Sequence, residues 1–139
     1  MTEKLDVCIV TMRGLSEDFV SMLKKAIPII NDIIIDDHTT PLGKARQNVI
    51  RQVKTDKFVF VDDDVFLPEG WYDKISKYWT DDSIGWLEGW AIPTRPEWYY
   101  KWSKSRLDGA PLEYIEKDRG FTLDTIIRSE LVKDWVGLC

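Results

Sequence analysis

Three consecutive aspartates at positions 62–64 directly follow four apolar residues at positions 58–61. A short apolar run that ends in polar residues is typical of a buried strand. Adjacent carboxylates repel one another unless solvent or a cation relieves them. Mg²⁺ is commonly held by one or two carboxylates together with substrate phosphates. The run by itself therefore predicts a cation site at the end of a strand and a solvated acidic turn about equally, and the rest of the chain must decide between them.

The secondary-structure elements that must position these aspartates are predicted strands and helices that alternate along the chain. Apolar runs at residues 6–11, 32–35 and 58–61 predict three strands. Amphipathic segments that begin after Ser16 and at Lys44 predict two helices between them. Such alternation is typical of βαβ units with parallel strands. The sequence therefore predicts an α/β fold with a mostly parallel central sheet.

Polar residues end all three predicted strands. Thr11 ends the first, Asp36 and Asp37 end the second, and residues 62–64 end the third. Parallel strands bring these ends to one edge, and open α/β sheets bind ligands beyond the carboxyl ends of their strands. This shared edge predicts a binding site.

The second half of the chain is rich in aromatic residues. Its patterns predict a helix over 71–79, strands over 84–90 and 120–126, and a short helix over 129–135. Tryptophans and tyrosines alternate with cations over residues 86–106. This stretch has three interpretations: packing of an irregular lid, a surface for a sugar or lipid-linked acceptor, and a peripheral membrane or subunit contact.

Length, charge and cysteine content exclude several classes of protein. The 139 residues predict a single domain, and a net charge of −5 argues against non-specific nucleic-acid binding. The two cysteines, Cys8 and Cys139, do not form a disulfide framework. No apolar run reaches the roughly 20 residues that a transmembrane helix needs, and the first residues do not resemble a signal peptide. We expect a cytoplasmic chain without a transmembrane segment.

The order and spacing of these motifs resemble the N-terminal half of family 2 glycosyltransferases with the GT-A fold. That family has a strand ending in paired aspartates, a helix beginning Gly-x-x-Ala-Arg, and an apolar strand ending in a DxD-type motif. The chain matches at residues 33–40, 43–48 and 60–64. It departs with Gln47 directly after the arginine and with His38 in place of a common glycine. The likeness covers residues 6–70 and continues more weakly over 120–135.

The resemblance implies a GT-A fold, a Rossmann-like nucleotide-binding α/β/α sandwich. A single domain would then span residues 1–139. Residues 1–70 would form the nucleotide-sugar-binding half, and residues 80–139 an incomplete acceptor-side half. The implied reaction is metal-dependent, inverting transfer of a sugar from a nucleotide-diphosphate-sugar donor to a hydroxyl acceptor on a glycan, protein or lipid-linked molecule. The implied cofactor is Mn²⁺ or Mg²⁺.

The resemblance also assigns roles to individual residues. Asp64 would bind the metal directly, and Asp62 would hold the ribose hydroxyls or a metal-bound water. Arg46 would contact the base or a phosphate, and Asp36 or Asp37 would accept hydrogen bonds from the base or ribose. The full nucleotide-binding set that the resemblance implies is Thr11, Asp36, Asp37, Arg46, Asp62 and Asp63.

An inverting transferase needs a general base for the acceptor hydroxyl. In the resembled family this base usually follows a segment like residues 120–135, where this chain ends, so we expect a short or C-terminally truncated form. Of the remaining carboxylates (Glu88, Asp118, Asp124 and Glu130), Asp124 is the candidate base because its predicted strand lies near the expected acceptor side.

Two other functions remain open. The chain could be a nucleotide-sugar-binding module that lacks a complete catalytic site. It could also be another metal-dependent nucleotide enzyme, such as a nucleotidyltransferase. The second is disfavoured because the turn at residues 12–15 has one glycine instead of a Gly-rich phosphate loop.

Overall fold

A five-stranded sheet organises the computed structural model, which describes residues 3–80, 82–89 and 124–132. The strands are β1 (Leu5–Val10), β2 (Ile30–Asp36), β3 (Lys57–Val61), β4 (Trp86–Glu88) and β5 (Asp124–Arg128). Their order in the sheet is β2-β1-β3-β5-β4. β1 pairs in parallel with β2 and β3, whereas β5 is antiparallel to both β3 and β4. The sheet is therefore open and mixed, with parallel strands at its centre, as expected for the predicted α/β class.

The first helix has strong local signals at both ends. α1 (Glu17–Ala26) begins after Ser16, whose hydroxyl accepts a hydrogen bond from the Phe19 N–H at 3.1 Å. Acidic residues occupy its first turn and basic residues its last, which suits the helix dipole. The predicted start after Ser16 is confirmed.

Two further helices complete the described elements. α2 (Leu42–Arg51) begins two residues before its predicted start, because the Pro41 carbonyl accepts the N–H groups of Lys44 and Ala45 at 3.0 and 3.2 Å. α3 (Trp71–Ser76) is shorter than the predicted helix over 71–79.

The core has two clusters, which form on the two faces of the sheet because side chains alternate along each strand. One cluster joins the sheet to α1 and α3 through Leu5, Val7, Ile9, Val59, Val61, Leu23, Ala26, Ile27 and Trp71. The other joins it to α2 through Cys8, Ile34, Phe58, Phe60, Val49 and Ile50. Helices therefore cover both faces of the central parallel strands.

The later elements differ in extent from their predictions. β4 is three residues long, and β5 begins at Asp124 and extends to Arg128, past the predicted end at residue 126. A 3₁₀ turn at Ser129–Leu131 stands where a short helix was predicted, and residues 133–135 lie outside the described part. Most of the aromatic stretch, residues 90–106, also lies outside it. Among the described residues, no helix has both the length and the apolar character needed to cross a membrane.

Candidate functional site

The parallel strands bring the predicted site residues to one edge of the sheet. Val10, the last residue of β1, pairs with Asp36, the last residue of β2. The Thr11 N–H then donates to the Asp36 carbonyl at 3.0 Å. β3 pairs with the other side of β1, so residues 62–64 leave the sheet at the same edge. The structure therefore brings together the three strand ends that the sequence singled out.

Asp36 is buried and held by its own loop. Its Oδ1 accepts from the backbone N–H groups of His38 and Thr39 at 3.2 and 2.9 Å. Its Oδ2 accepts from the Thr39 hydroxyl at 2.8 Å and from the Asn48 amide at 3.3 Å. Burial alone would raise the pKa of Asp36, but these hydrogen bonds outweigh it and lower the pKa to about 2. Asp36 is thus a fixed anion that orders the β2–α2 loop.

Asp37 has a different environment from its neighbour. Its side chain is 64% exposed, and its Oδ1 lies 3.2 Å from His38 Nδ1. Exposed pairs of this kind contribute little to stability. The predicted contact of Asp37 with a base or ribose remains a prediction, as does that of Asp36.

Asp63 joins the loop after β3 to the loop after β1. Its Oδ2 accepts from the Thr11 hydroxyl at 2.7 Å and from Arg13 Nε at 3.3 Å. Its Oδ1 lies 3.0 Å from Arg13 Nη2. Burial works to raise the pKa of Asp63, but the bonds from Arg13 and Thr11 lower it overall. Asp63 is therefore an ionised carboxylate with protein partners on both oxygens.

Asp62, the first residue after β3, is a partly buried carboxylate. Partial burial raises its pKa to about 6, and the charges of Asp64 and Asp63 add to this rise. The positive charge of Arg46, in α2, acts in the opposite direction. Arg46 Nε is buried and has no hydrogen-bond partner in the described part of the chain. Asp62 therefore offers an acceptor, and Arg46 offers a buried donor that has no partner among the described residues.

The donor set suits a cation that is shared with a ligand. Asp64 is exposed and Asp62 is partly exposed, whereas Asp63 is taken by Thr11 and Arg13. Across residues 3–80, 82–89 and 124–132, no group of three or more His, Cys, Asp or Glu side chains is arranged to hold a metal. Two carboxylates plus phosphate oxygens are nevertheless a common coordination set for Mg²⁺. Asp62 and Asp64 therefore fit a metal–phosphate site better than a cage built from protein alone.

The antiparallel strand β5 begins at the same edge. Asp124, its first residue, pairs with Val61, the last residue of β3. The backbone of the candidate base therefore lies next to the start of the acidic run. A parallel β5 would have placed Asp124 at the opposite end of the sheet.

Three residues at the site were not given functional roles from the sequence. Arg13 was predicted only as part of a turn, yet it contacts Asp63. Thr39 and Asn48 belong to the quoted motifs, yet their role in holding Asp36 was not predicted. A signal for Thr39 was present, because an aspartate followed by Ser or Thr in a turn commonly accepts nearby backbone N–H groups. No local pattern would have paired Arg13 with a residue 50 positions away.

Comparison with known proteins supplies no family assignment. The sequence matches no protein-family model, and neither curated proteins nor solved structures gave a match.

Proposed function

We propose that the chain is a GT-A-like, metal-dependent inverting glycosyltransferase that takes a nucleotide-diphosphate-sugar donor. One observation carries this proposal. The half-buried Asp62 and the exposed Asp64 lie at the carboxyl ends of three adjacent parallel strands, where the charge of Arg46 in α2 acts on Asp62. The buried Nε of Arg46 has no hydrogen-bond partner among the residues that the structure describes. That combination can serve a cation and a diphosphate at once, and the edge is where open α/β sheets bind nucleotides.

The proposed roles follow from charge and exposure. Asp62 and Asp64 would hold Mn²⁺ or Mg²⁺, which supplies Lewis-acid neutralisation of the diphosphate charge when bound. Arg46 would donate to the base or to a phosphate, since guanidinium groups suit planar and phosphate acceptors. Thr11 and the Asp36 loop would form the nucleotide pocket, with Asp37 at its exposed rim.

Asp124 is the proposed general base. In the proposed reaction the base removes the proton of the acceptor hydroxyl as its oxygen attacks the anomeric carbon, and the nucleoside diphosphate leaves from the opposite side. The pairing of Asp124 with Val61 places its backbone beside the acidic run, which supports this role.

Calorimetric titration tests donor binding directly. UDP-, GDP- and dTDP-sugars are titrated with and without Mn²⁺, and at least one should bind in a metal-dependent way. Asp64→Ala should abolish that metal-dependent binding and leave the fold intact. Asp32→Ala is the matched control, because Asp32 is an exposed aspartate inside β2 and lies away from the sheet edge. Absence of binding for every donor, or equal affinity in Asp64→Ala, would refute the site assignment.

A donor-hydrolysis and transfer assay separates the enzyme from the binding module. Turnover that depends on Mn²⁺ and falls at least about 100-fold in Asp124→Asn is expected if Asp124 is the base. Metal-dependent binding without any turnover would instead favour a nucleotide-sugar-binding module.

A further inference from the structure

The loop between β1 and α1 is held against the acidic run by two side chains. The Thr11 hydroxyl donates to Asp63 at 2.7 Å and accepts the Arg13 N–H at 3.2 Å. The Arg13 guanidinium reaches both oxygens of the same carboxylate. Gly14 then turns the chain away with a φ of 78°, in the left-handed region that favours glycine. The loop conformation and the arginine position are thus fixed together.

The Arg13–Asp63 pair differs from an ordinary surface ion pair. Pairs in which both side chains are solvated contribute little, because each chain remains free to move. Here Asp63 is only 21% exposed and is bonded to the buried Thr11, whereas Arg13 is 69% exposed. The carboxylate is the anchored member, and the guanidinium is presented to solvent in a fixed orientation.

The guanidinium retains donors for a ligand. Asp63 engages Nε and one terminal nitrogen, and the described contacts of Arg13 leave the other terminal nitrogen uncommitted. Asp63 is directly followed in the chain by Asp64, whose side chain is exposed. By contacting Asp63, the Arg13 guanidinium lies one residue along the chain from the carboxylate that is proposed to hold the cation.

We propose that Arg13 binds the diphosphate of the donor and that Asp63 is its positioning residue rather than a metal ligand. Planar guanidinium donors match phosphate oxygens, and the fixed orientation lowers the entropy lost on binding. The inference rests on the proposed function, since it names the group that holds the charged part of the same donor. It also assigns separate tasks within residues 62–64, with the outer two aspartates for the cation and the middle one for the arginine.

Titration of UDP, GDP and dTDP in Mn²⁺, at low and at high salt, tests this assignment. Arg13→Ala should lower affinity for the bound nucleotide at least about 10-fold at low salt and should weaken the dependence of affinity on salt. Arg13→Lys, which keeps the charge and loses the planar fork, should show an intermediate loss. Asp63→Asn should also reduce affinity, because it loosens the arginine. Arg51→Ala is the matched control, since Arg51 is exposed in the last turn of α2.

The outcomes separate this inference from the function on which it rests. If wild-type protein binds a diphosphate and Arg13→Ala binds it equally well, the arginine has no ligand role, although the donor site stands. An affinity loss with unchanged salt dependence would show that Arg13 acts only through loop structure, which also overturns the proposal. If no nucleotide binds wild-type protein, both proposals fall. If Arg13→Ala fails to fold, as judged by its thermal unfolding, Arg13→Lys alone decides. Wild-type affinity in Arg13→Lys would then reject the proposed contact between the planar guanidinium and the diphosphate.

Discussion

Each end of the sheet buries an aspartate, but only the carboxyl end also has carboxylates that accept no hydrogen bond from the described part of the chain. At the amino end, Asp6 is 1% exposed. Its carboxylate accepts from the Asn31 amide at 2.9 Å and from the Lys54 N–H at 2.8 Å. Its own N–H donates to the Thr55 hydroxyl at 3.0 Å. At this end, the polar groups of Asp6 are all satisfied by protein partners, which connect β1 to the start of β2 and to the segment that leads into β3.

The carboxyl end has two kinds of carboxylate. We call a carboxylate closed when its oxygens accept hydrogen bonds from several protein donors, and open when they accept none from the described residues. Asp36 and Asp63 are held by several donors, much as Asp6 is. Within the described part of the chain, the side chains of Asp62 and Asp64 accept no hydrogen bond, and Asp62 has its pKa raised to about 6. A buried charge without hydrogen bonds is unfavourable for folding. An aspartate at a strand is therefore no indication of a site by itself, whereas a partly buried one without hydrogen-bond donors, such as Asp62, is.

Removing the closed carboxylate at the amino end should produce the largest stability change. Asp6→Ala leaves the Lys54 N–H and the Asn31 amide without their acceptor. We expect a loss of about 3 kcal/mol in the free energy of unfolding. Denaturant titration measures it, with Asp32→Ala as a control that changes stability by less than about 0.5 kcal/mol. A loss below about 1 kcal/mol in Asp6→Ala would show that this end is no structural connection.

Asp36 should behave as a closed carboxylate in its response to acid. Its folded-state pKa of about 2 lies below the ordinary aspartate value of 3.8, so it stabilises the fold above pH 4. That contribution, about 2 kcal/mol, is lost as pH falls from about 4 through 2. Asp36→Asn should therefore be less stable than wild type at pH 7, and the gap should narrow toward pH 2. A gap that stays constant with pH would contradict the hydrogen-bonded anion.

The sequence predicted the parts of the fold that repeat a local pattern. Strands β1 to β3, helix α1 and the α/β class follow from apolar periodicity and the cap at Ser16. The antiparallel direction of β5 did not follow, because orientation depends on the path of the chain between strands and not on composition. Likewise, the end of α3 at Ser76 depends on local packing that the helical spacing of 71–79 does not encode.

For the candidate site, the sequence predicted which residues lie at the sheet edge better than it predicted their hydrogen-bond partners. The run at 62–64 and the pair Asp36–Asp37 were correctly placed at one edge because strand ends are local features. The contact that distinguishes Asp63 from its two neighbours was not predictable, because its partner Arg13 is 50 positions away in the chain. Asp6 was also predicted as an ordinary strand residue, since its acceptors and donors are 25 to 49 positions away.

The contribution of Asp62 to stability should change with pH in the opposite direction to that of Asp36. Its raised folded-state pKa means that the fold binds its proton more tightly than the unfolded chain does. Wild-type stability in metal-free buffer should therefore fall as pH rises from about 4 through 6. Asp62→Asn removes this penalty and should be more stable than wild type by about 1 kcal/mol at pH 7, after allowance for solvent at the half-buried carboxyl.

The same variant links stability to ligand binding. Chemical unfolding at pH 5 and 7 in a chelator measures the pH effect, and Asp64→Asn, at an exposed carboxylate, should change stability by less than about 0.5 kcal/mol. With Mn²⁺ and a nucleoside diphosphate present, the order should reverse, because only wild type gains binding energy from the cation. An Asp62→Asn variant that is less stable than wild type at pH 7 would mean that Asp62 is another closed carboxylate.

Substitution of Asp37 should have the smallest effect on stability, so any change in donor affinity can be assigned to ligand contact and not to the fold. Its exposed contact with His38 should contribute nearly nothing, so Asp37→Asn should unfold within about 0.5 kcal/mol of wild type. If Asp37 accepts hydrogen bonds from the base or ribose, donor affinity should fall a few-fold, because Asn keeps only one acceptor oxygen. Titration with the best-binding donor, beside the unfolding measurement, decides the matter. Unchanged affinity with unchanged stability would assign Asp37 to solvent and leave Asp62 and Asp64 as the open carboxylates of this edge.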